Sequence, residues 1–301
     1  MAQQRPYLVG FVLAAVGAIL FSAKAIVAKL LYLEGNNALE VIGFRMLLSL
    51  PIFAAVALWY MWQVHLHKEK PLTTLQKAQV VLLGFIGYYL ASYLDFLGLQ
   101  YISASLERLI LFLSPTFIIL FTAIFIGTRI APKQWLALLC AYAGVGMVFL
   151  QDLSFSGDNV GLGAVLVLGS SISYSIYIVS SGELLKKIGS TRLVAYAMSV
   201  SSLFILAHFF FVEGWQGLVQ TRKVYALSLW HAWANTAMPT FMVMWAVERI
   251  GAPLTAQVGL VGPVSVLFLA NFFLGEPITL LQLGGTALVL WSVVWLRKPS
   301  V

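Results

Sequence analysis

Apolar residues run through this chain in ten long blocks, and polar residues are confined mostly to the short gaps between them. The blocks cover roughly residues 7–30, 38–62, 77–99, 103–126, 133–150, 159–181, 191–212, 224–247, 252–274 and 279–297. Each is about twenty residues long, the length at which a helix rising ~1.5 Å per residue crosses a ~30 Å hydrocarbon core. Helices satisfy their own backbone hydrogen bonds, so such blocks are stable in lipid. The pattern predicts an all-α polytopic membrane protein with ten transmembrane helices. Polar positions inside the blocks recur at helical spacing. The sixth carries Ser170, Tyr174, Tyr177 and Ser181, and the third carries Gly84, Tyr88, Ala91 and Asp95. Such stripes either glue helices together or line a cavity. Tyrosines in a cavity wall suit an amphipathic or aromatic guest, by stacking and hydrogen bonding.

Composition strengthens this picture. Mean hydropathy is +0.93, 61% of residues are hydrophobic and 10% are charged. A soluble core of 301 residues has no use for so much apolar surface. The gaps are short, and the longest, around residues 65–76, leaves no room for a soluble catalytic domain. The formal charge of +7 would suggest a nucleic-acid partner until the charges are placed. With the N-terminus inside and the spans alternating, twelve of the 18 Lys and Arg residues fall on the cytoplasmic side and only Arg222 and Lys223 on the other. The rest, Lys24, Lys29, Arg45 and Arg108, lie within spans or at their outer ends. That bias orients the chain with both termini cytoplasmic and needs no nucleic acid. Arg5, the apolar stretch after it and Ala23-Lys24-Ala25 imitate a signal peptide. The stretch is long for one, and its helical character continues to about Leu30, so the expectation is an uncleaved first span.

The chain repeats itself. The stretches 98–106 and 246–254 are similar, and each leads nine residues on to a proline, Pro115 and Pro263. At the same offset of 148 residues Gly127 meets Gly275 and Gln134 meets Gln282. Residues 1–150 and 151–301 then hold about five spans each. An odd number turns the second half upside down, and the basic loop after Gly127 is matched by an acidic one after Gly275. Inverted repeats of this kind mark secondary transporters, with the substrate near midplane. Pro115 and Pro263 are expected to kink their helices at matching depths.

Buried charge supplies the candidate chemistry, because an ionisable side chain within a membrane is costly and marks function by default. Lys24 is the first candidate: it meets either a substrate carboxylate or a structural partner, Asp95 or Glu107. Glu107 and Arg108 are neighbours on a helix and therefore do not pair with each other. Asp95 and Glu107 are candidates for a proton-coupling carboxylate, or for salt bridges with Lys24, Arg45 or Arg108. Tyr88, Tyr174, Tyr177, His231, Asn235 and Gln257 complete the substrate-contacting candidates; His231 and Asn235 share a helix face. Cys140 is the sole cysteine, which excludes an intramolecular disulfide. His65 and His67 lack a third metal ligand. Nucleotide-binding, zinc-hydrolase and serine-hydrolase motifs are absent from the sequence, so no cofactor is expected. An intramembrane enzyme or a channel stays as the alternative; an enzyme would need a cluster of nucleophile, base and acid.

Three groups of residues resemble the EamA-type drug/metabolite transporters. Phe21 to Lys29, with Phe44-Arg45 beyond, is similar to the family's opening W-G…K and later F/L-R motifs. Leu99 to Leu106, with Leu113-Ser-Pro115 and Ala143-Gly144, matches the end of the first half. Pro263, Gly275-Glu276-Pro277 and Gln282…Gly285 fit the P…G-E…Q-x-x-G pattern. Phe21 replaces the usual Trp, and Thr128 replaces the Glu expected after Gly127. The chain most resembles the YddG-type exporters of aromatic amino acids. The resemblance implies ten helices in two inverted five-helix repeats and a bacterial inner-membrane location. It implies export of amino acids and related small metabolites by alternating access. Lysines stand in the first span where small multidrug exporters of the superfamily rely on a glutamate, which argues against a cation pump of that kind. A drug/metabolite transporter of another substrate class remains open.

Overall fold

The computed structural model describes residues 4–127, 132–155, 159–250, 255 and 258–297. Regular structure among them is entirely helical. The first half comprises α1 (Gln4–Ser22), α2 (Lys24–Leu33), α3 (Ala38–His65), α4 (Thr74–Gly84), α5 (Ala91–Leu99), α6 (Ala104–Leu111), α7 (Ser114–Ile126) and α8 (Pro132–Phe155). The second comprises α9 (Val160–Ile188), α10 (Ser190–Val212), α11 (Arg222–Ala232), α12 (Met238–Ile250), α13 (Val261–Leu274) and α14 (Leu280–Arg297). Among the described residues, six segments are long and apolar enough to cross a membrane: Leu8–Leu33, Ala38–His65, Thr74–Leu99, Ala104–Phe125, Val160–Gly182 and Ser190–Val212. Three further apolar helices are shorter, Leu138–Leu153, Val261–Leu274 and Leu280–Ser292. This is a multi-pass membrane architecture.

Local sequence explains the breaks. Pro115 and Pro263 sit in the first turns of α7 and α13, where a missing N–H costs little, and neither can continue a helix arriving from upstream. Gly127 and Gly275 close α7 and α13 with left-handed backbone, φ 77° and 70°, a conformation that glycine adopts without steric penalty. Wider π-helical turns join α4 to α5 at Phe85–Leu90 and α11 to α12 at Trp233–Ala237. Each inserts a residue into the helical period and so rotates the downstream helix about its axis. The offset of 148 residues that joins Gly127 to Gly275 also carries Phe85 to Trp233 and Thr74 to Arg222, the first residues of paired elements.

The helices pack in crossed pairs: α1 against α12, α5 against α9, α3 against α10 and α8 against α14. In the last pair the two backbones come into contact. A Cβ on Gly144 would stand 2.6 Å from the Gly285 carbonyl oxygen, and one on Gly285 would stand 2.5 Å from that of Gly144. Glycine lets the two backbones touch there, as small residues do between membrane helices.

The two ends of the bundle differ. At one end the connections are laced together. Asn37 donates to Glu213 at 2.9 Å, Gln220 to Glu40 at 3.1 Å, and Lys223 to Glu34. Asp152 accepts from the Ser103 amide at 2.8 Å, and Glu276 from the Ala104 amide at 2.9 Å. Both carboxylates thus lie on the N-terminal turn of α6, where negative charge is stabilised. Thr279 donates to Gln151 in the same cluster. Beneath this lacing lies the largest apolar cluster, with Leu31, Val41, Ile42, Phe96, Leu99, Val224 and Val266. The opposite end carries the 66–73 connection, held by Arg192, which donates to the Lys70 carbonyl at 3.0 Å.

Candidate functional site

A cavity of about 520 Å³ occupies the middle of the bundle and extends from Lys24 toward the less tightly laced end. α1 contributes Ala18 and Phe21, α5 with the preceding π turn contributes Gly87, Tyr88, Ser92 and Asp95, and α9 contributes Ser170 and Tyr174. Thr236, Pro239, Thr240 and Val243 form much of the opposite wall. Among the described residues, four charged side chains reach the wall: Lys24, Arg45, Asp95 and Arg108.

The charges form one cluster at the laced side of the cavity. Lys24 begins α2, after a single turn residue, Ala23. Its Nζ donates to Asp95 Oδ2 and lies 3.4 Å from Glu107 Oε1. Lys24, expected to meet either a substrate carboxylate or these acids, is thus placed between the two acids. Glu107 is fully buried, and among the described residues neither of its oxygens has a hydrogen-bond partner. Arg45 lies over the Phe96 ring at 4.7 Å, and its Nη2 donates to Ser92 Oγ at 3.0 Å. Arg108 stacks on Phe112, 5.2 Å from the ring centre. Neither arginine Nε has a hydrogen-bond partner among the described residues. A ring face attracts a cation, but it offers no hydrogen-bond acceptor of carboxylate strength. By formal charge the cluster holds three cations, Lys24, Arg45 and Arg108, against two carboxylates, Asp95 and Glu107.

The tyrosines divide. Tyr88 and Tyr174 line the cavity, whereas Tyr177 is buried behind them. The Tyr88 and Tyr177 hydroxyls are 3.2 Å apart, and the Tyr177 ring lies directly over Gly87, leaving no room for a Cβ there. His231 and Asn235 are buried away from the cavity wall. His231 stands beside Phe96, with ring centres 5.6 Å apart, and Asn235 donates to the Leu20 carbonyl at 2.6 Å. Asn235 lies within the π turn at Trp233–Ala237 and meets α1, whereas His231 precedes that turn and meets α5. Gln257 lies outside the described residues. Pro115 lines the cavity, next to the break between α6 and α7. Ser92 and Thr240 also reach the wall, although the spacing of polar stripes does not single them out. Among the described residues no cluster of three or more His, Cys, Asp or Glu could hold a metal ion.

A cavity at the meeting of two similar halves, buried in an apolar bundle, is the plan of a carrier. The model of the EamA-like transporter family matches this chain twice, over residues 8–150 and 161–297. The chain belongs to that family. It is a membrane transporter, and its partner is a small molecule. It is 30% identical over 287 residues to the "Uncharacterized transporter YcbK" of Bacillus subtilis (strain 168), covering 92% of this chain and 88% of that one. It is 26% identical over 215 residues to an "Uncharacterized transporter" of Archaeoglobus fulgidus, covering 71% and 75%. A solved crystal structure superposes with a TM-score of 0.66 at 16% identity, over 98% of this chain and 96% of the other. At that identity the likeness establishes the fold alone. For an EamA-like transporter, the charged cluster and the cavity above it are the natural place to look for substrate chemistry.

Proposed function

We propose that this protein is a secondary transporter that exports amino acids, aromatic ones included, and related small metabolites across the bacterial inner membrane by alternating access. The cavity carries the reading: its volume of about 520 Å³ suits a single small molecule, and Tyr88 and Tyr174 offer an aromatic wall beside a charged cluster. Ten spans in two inverted five-helix halves, 1–150 and 151–301, account for the double family match and for the offset of 148 residues between paired elements. Both termini lie in the cytoplasm, so the laced end faces outward and the cavity faces inward. Apolar contacts discriminate poorly between similar shapes, so specificity is loose. Asp95 and Glu107, sharing Lys24, form the proton-exchanging unit that couples transport to the gradient.

Counterflow in proteoliposomes tests the substrate class. Vesicles preloaded with phenylalanine, tryptophan, threonine or methionine should accumulate the labelled compound. Exchange of a nucleotide sugar or a phosphorylated triose, and of none of these four, would overturn it. Glu107→Gln should exchange substrate yet lose stimulation by an imposed pH gradient; retained stimulation would remove Glu107 from the coupling. In a Cys140→Ser background, cysteines at the exposed positions Asn37 and Gln216 should react with an impermeant thiol reagent in intact cells. Cysteines at Lys68 and Lys187 should react only after permeabilisation, and the reverse labelling would invert the orientation.

A further inference from the structure

We infer that Arg108, supported by Arg45, is the anchor for a substrate carboxylate, and that the cavity does not read a substrate amino group. The inference rests on the proposed amino-acid-like substrate class and narrows it. Organic monocarboxylates with an aromatic or apolar body are the compounds the cavity takes, and amino acids are one kind among them.

Lys24 is the obvious carboxylate partner by position, but its ammonium is already engaged by Asp95 and faces Glu107. The two arginines are the cations left over. Arg45 is 6% exposed, yet its hydrogen bonding among the described residues is one contact to a neutral serine. Arg108 has an aromatic face at 5.2 Å and no ion pair among the described residues. A guanidinium held away from water without a carboxylate is costly, and its planar fork matches a carboxylate in two-bond geometry. The surroundings increase the need. Arg108 Nη2 lies against Gly262 in the first turn of α13, where a Cβ would approach it to 2.9 Å. That turn is the positive pole of the helix. An anion is what the Arg108 fork lacks, and a monocarboxylate would balance the formal count of three cations and two acids.

Among the described residues an ammonium finds no comparable partner. Asp95, the one carboxylate on the wall among the described residues, accepts from Lys24 through Oδ2, and its Oδ1 is shut away from the cavity. Glu107 is fully buried and does not reach the wall. The hydroxyls of Ser114, Thr236 and Thr240 donate to helix carbonyls. The aromatic body of the guest lies toward Tyr88, Tyr174 and Phe112, which share the cavity with Arg108.

Three related probes separate the groups: phenylalanine, 3-phenylpropionate, which lacks its amino group, and phenethylamine, which lacks its carboxylate. Direct binding to the purified full chain in detergent should show 3-phenylpropionate within about threefold of phenylalanine. Phenethylamine should bind at least about tenfold more weakly, the loss expected when one charge-assisted pair is not made. Arg108→Gln should weaken 3-phenylpropionate by about tenfold or more with an unchanged melting temperature, and Arg108→Lys should recover part of it. Phenethylamine binding as well as the acid, or no binding of the acid, overturns the inference, as does a folded Arg108→Gln protein that binds the acid normally. If Arg108→Gln does not fold, the order of the three probes on the unaltered chain and on Arg108→Lys decides. Binding of 3-phenylpropionate without phenylalanine would sink the amino-acid reading and leave the carboxylate anchor standing.

Discussion

The two halves of the chain present different chemistry to the same cavity. Among the described residues, the charged ones on its wall, Lys24, Arg45, Asp95 and Arg108, come from the first half. The described residues that the second half contributes, Ser170, Tyr174, Val194, Met198, Thr236, Thr240 and Val243 among them, are uncharged. Where the offset of 148 residues is anchored by paired elements, Asp95 corresponds to Val243, Glu107 to Thr255 and Arg108 to Ala256. The backbone plan is repeated, down to the π turns and the left-handed glycines, but the charge is not. Backbone features are set by what lets helices bend and cross in lipid, and both halves face that problem. Charge in a membrane interior is costly and needs partners close by. One compact cluster with internal partners is less costly than two half-satisfied ones.

The largest expected effect breaks the cluster in the charged half. Lys24→Met leaves Asp95 and Glu107 buried without their shared cation, a loss of about 3–5 kcal/mol that should appear as a marked fall in melting temperature in detergent. Neutralising all three, as Lys24→Met with Asp95→Asn and Glu107→Gln, should restore most of the stability. If the single variant melts like the parent, the cluster is not what the first half depends on.

A second test strikes where the halves touch. Gly144→Ala should destabilise by about 1–3 kcal/mol, because the added methyl must displace the Gly285 backbone. Gly146→Ala is the matched control. A Cβ there meets nothing within 4 Å, so the change should stay below about 1 kcal/mol. Equal effects at the two positions would deny the close crossing.

The comparison is sharpened by giving the neutral half a charge. Val243→Asp puts a carboxylate on the wall at the counterpart of Asp95, and should weaken 3-phenylpropionate binding by about tenfold, or about 1.4 kcal/mol. Val243→Asn should do much less. If both weaken it equally, shape and not charge is responsible.

The smallest expected effect concerns the tyrosine pair that joins the halves. Tyr177→Phe removes a buried hydroxyl from Tyr88 and should cost about 1 kcal/mol of stability. Tyr177 does not line the cavity, so affinity for phenylalanine should hardly move. A larger loss of affinity than of stability would bring Tyr177 into the site.

Much is legible in the chain because bilayer physics is strict. Long apolar blocks must be helices, and Pro115, Pro263, Gly127 and Gly275 mark where helices break or end through properties of their own backbones. The offset between the halves can be read from those same residues, and buried charges announce themselves by being in the wrong solvent. Which charges meet, and which faces turn inward, depends on the packed bundle. A regular period of 3.6 places Gly84, Tyr88, Ala91 and Asp95 on one stripe. With the π turn at Phe85–Leu90, Tyr88, Ala91 and Asp95 of that stripe line the cavity, Gly84 does not, and Gly87 and Ser92 join them. Asn235, inside a similar turn at Trp233–Ala237, bonds to Leu20 and stays off the wall, as does His231 just before it, packed beside Phe96. Lys24, Asp95 and Glu107 come from three different helices, so their union depends on how those helices cross. The residues alone dictate the helices and their breaks, because those arise from local backbone chemistry and the solvent. That Lys24 is engaged while Arg108 is left facing the cavity is a property of the folded bundle, because a salt bridge is settled by which partners packing brings within a few ångströms.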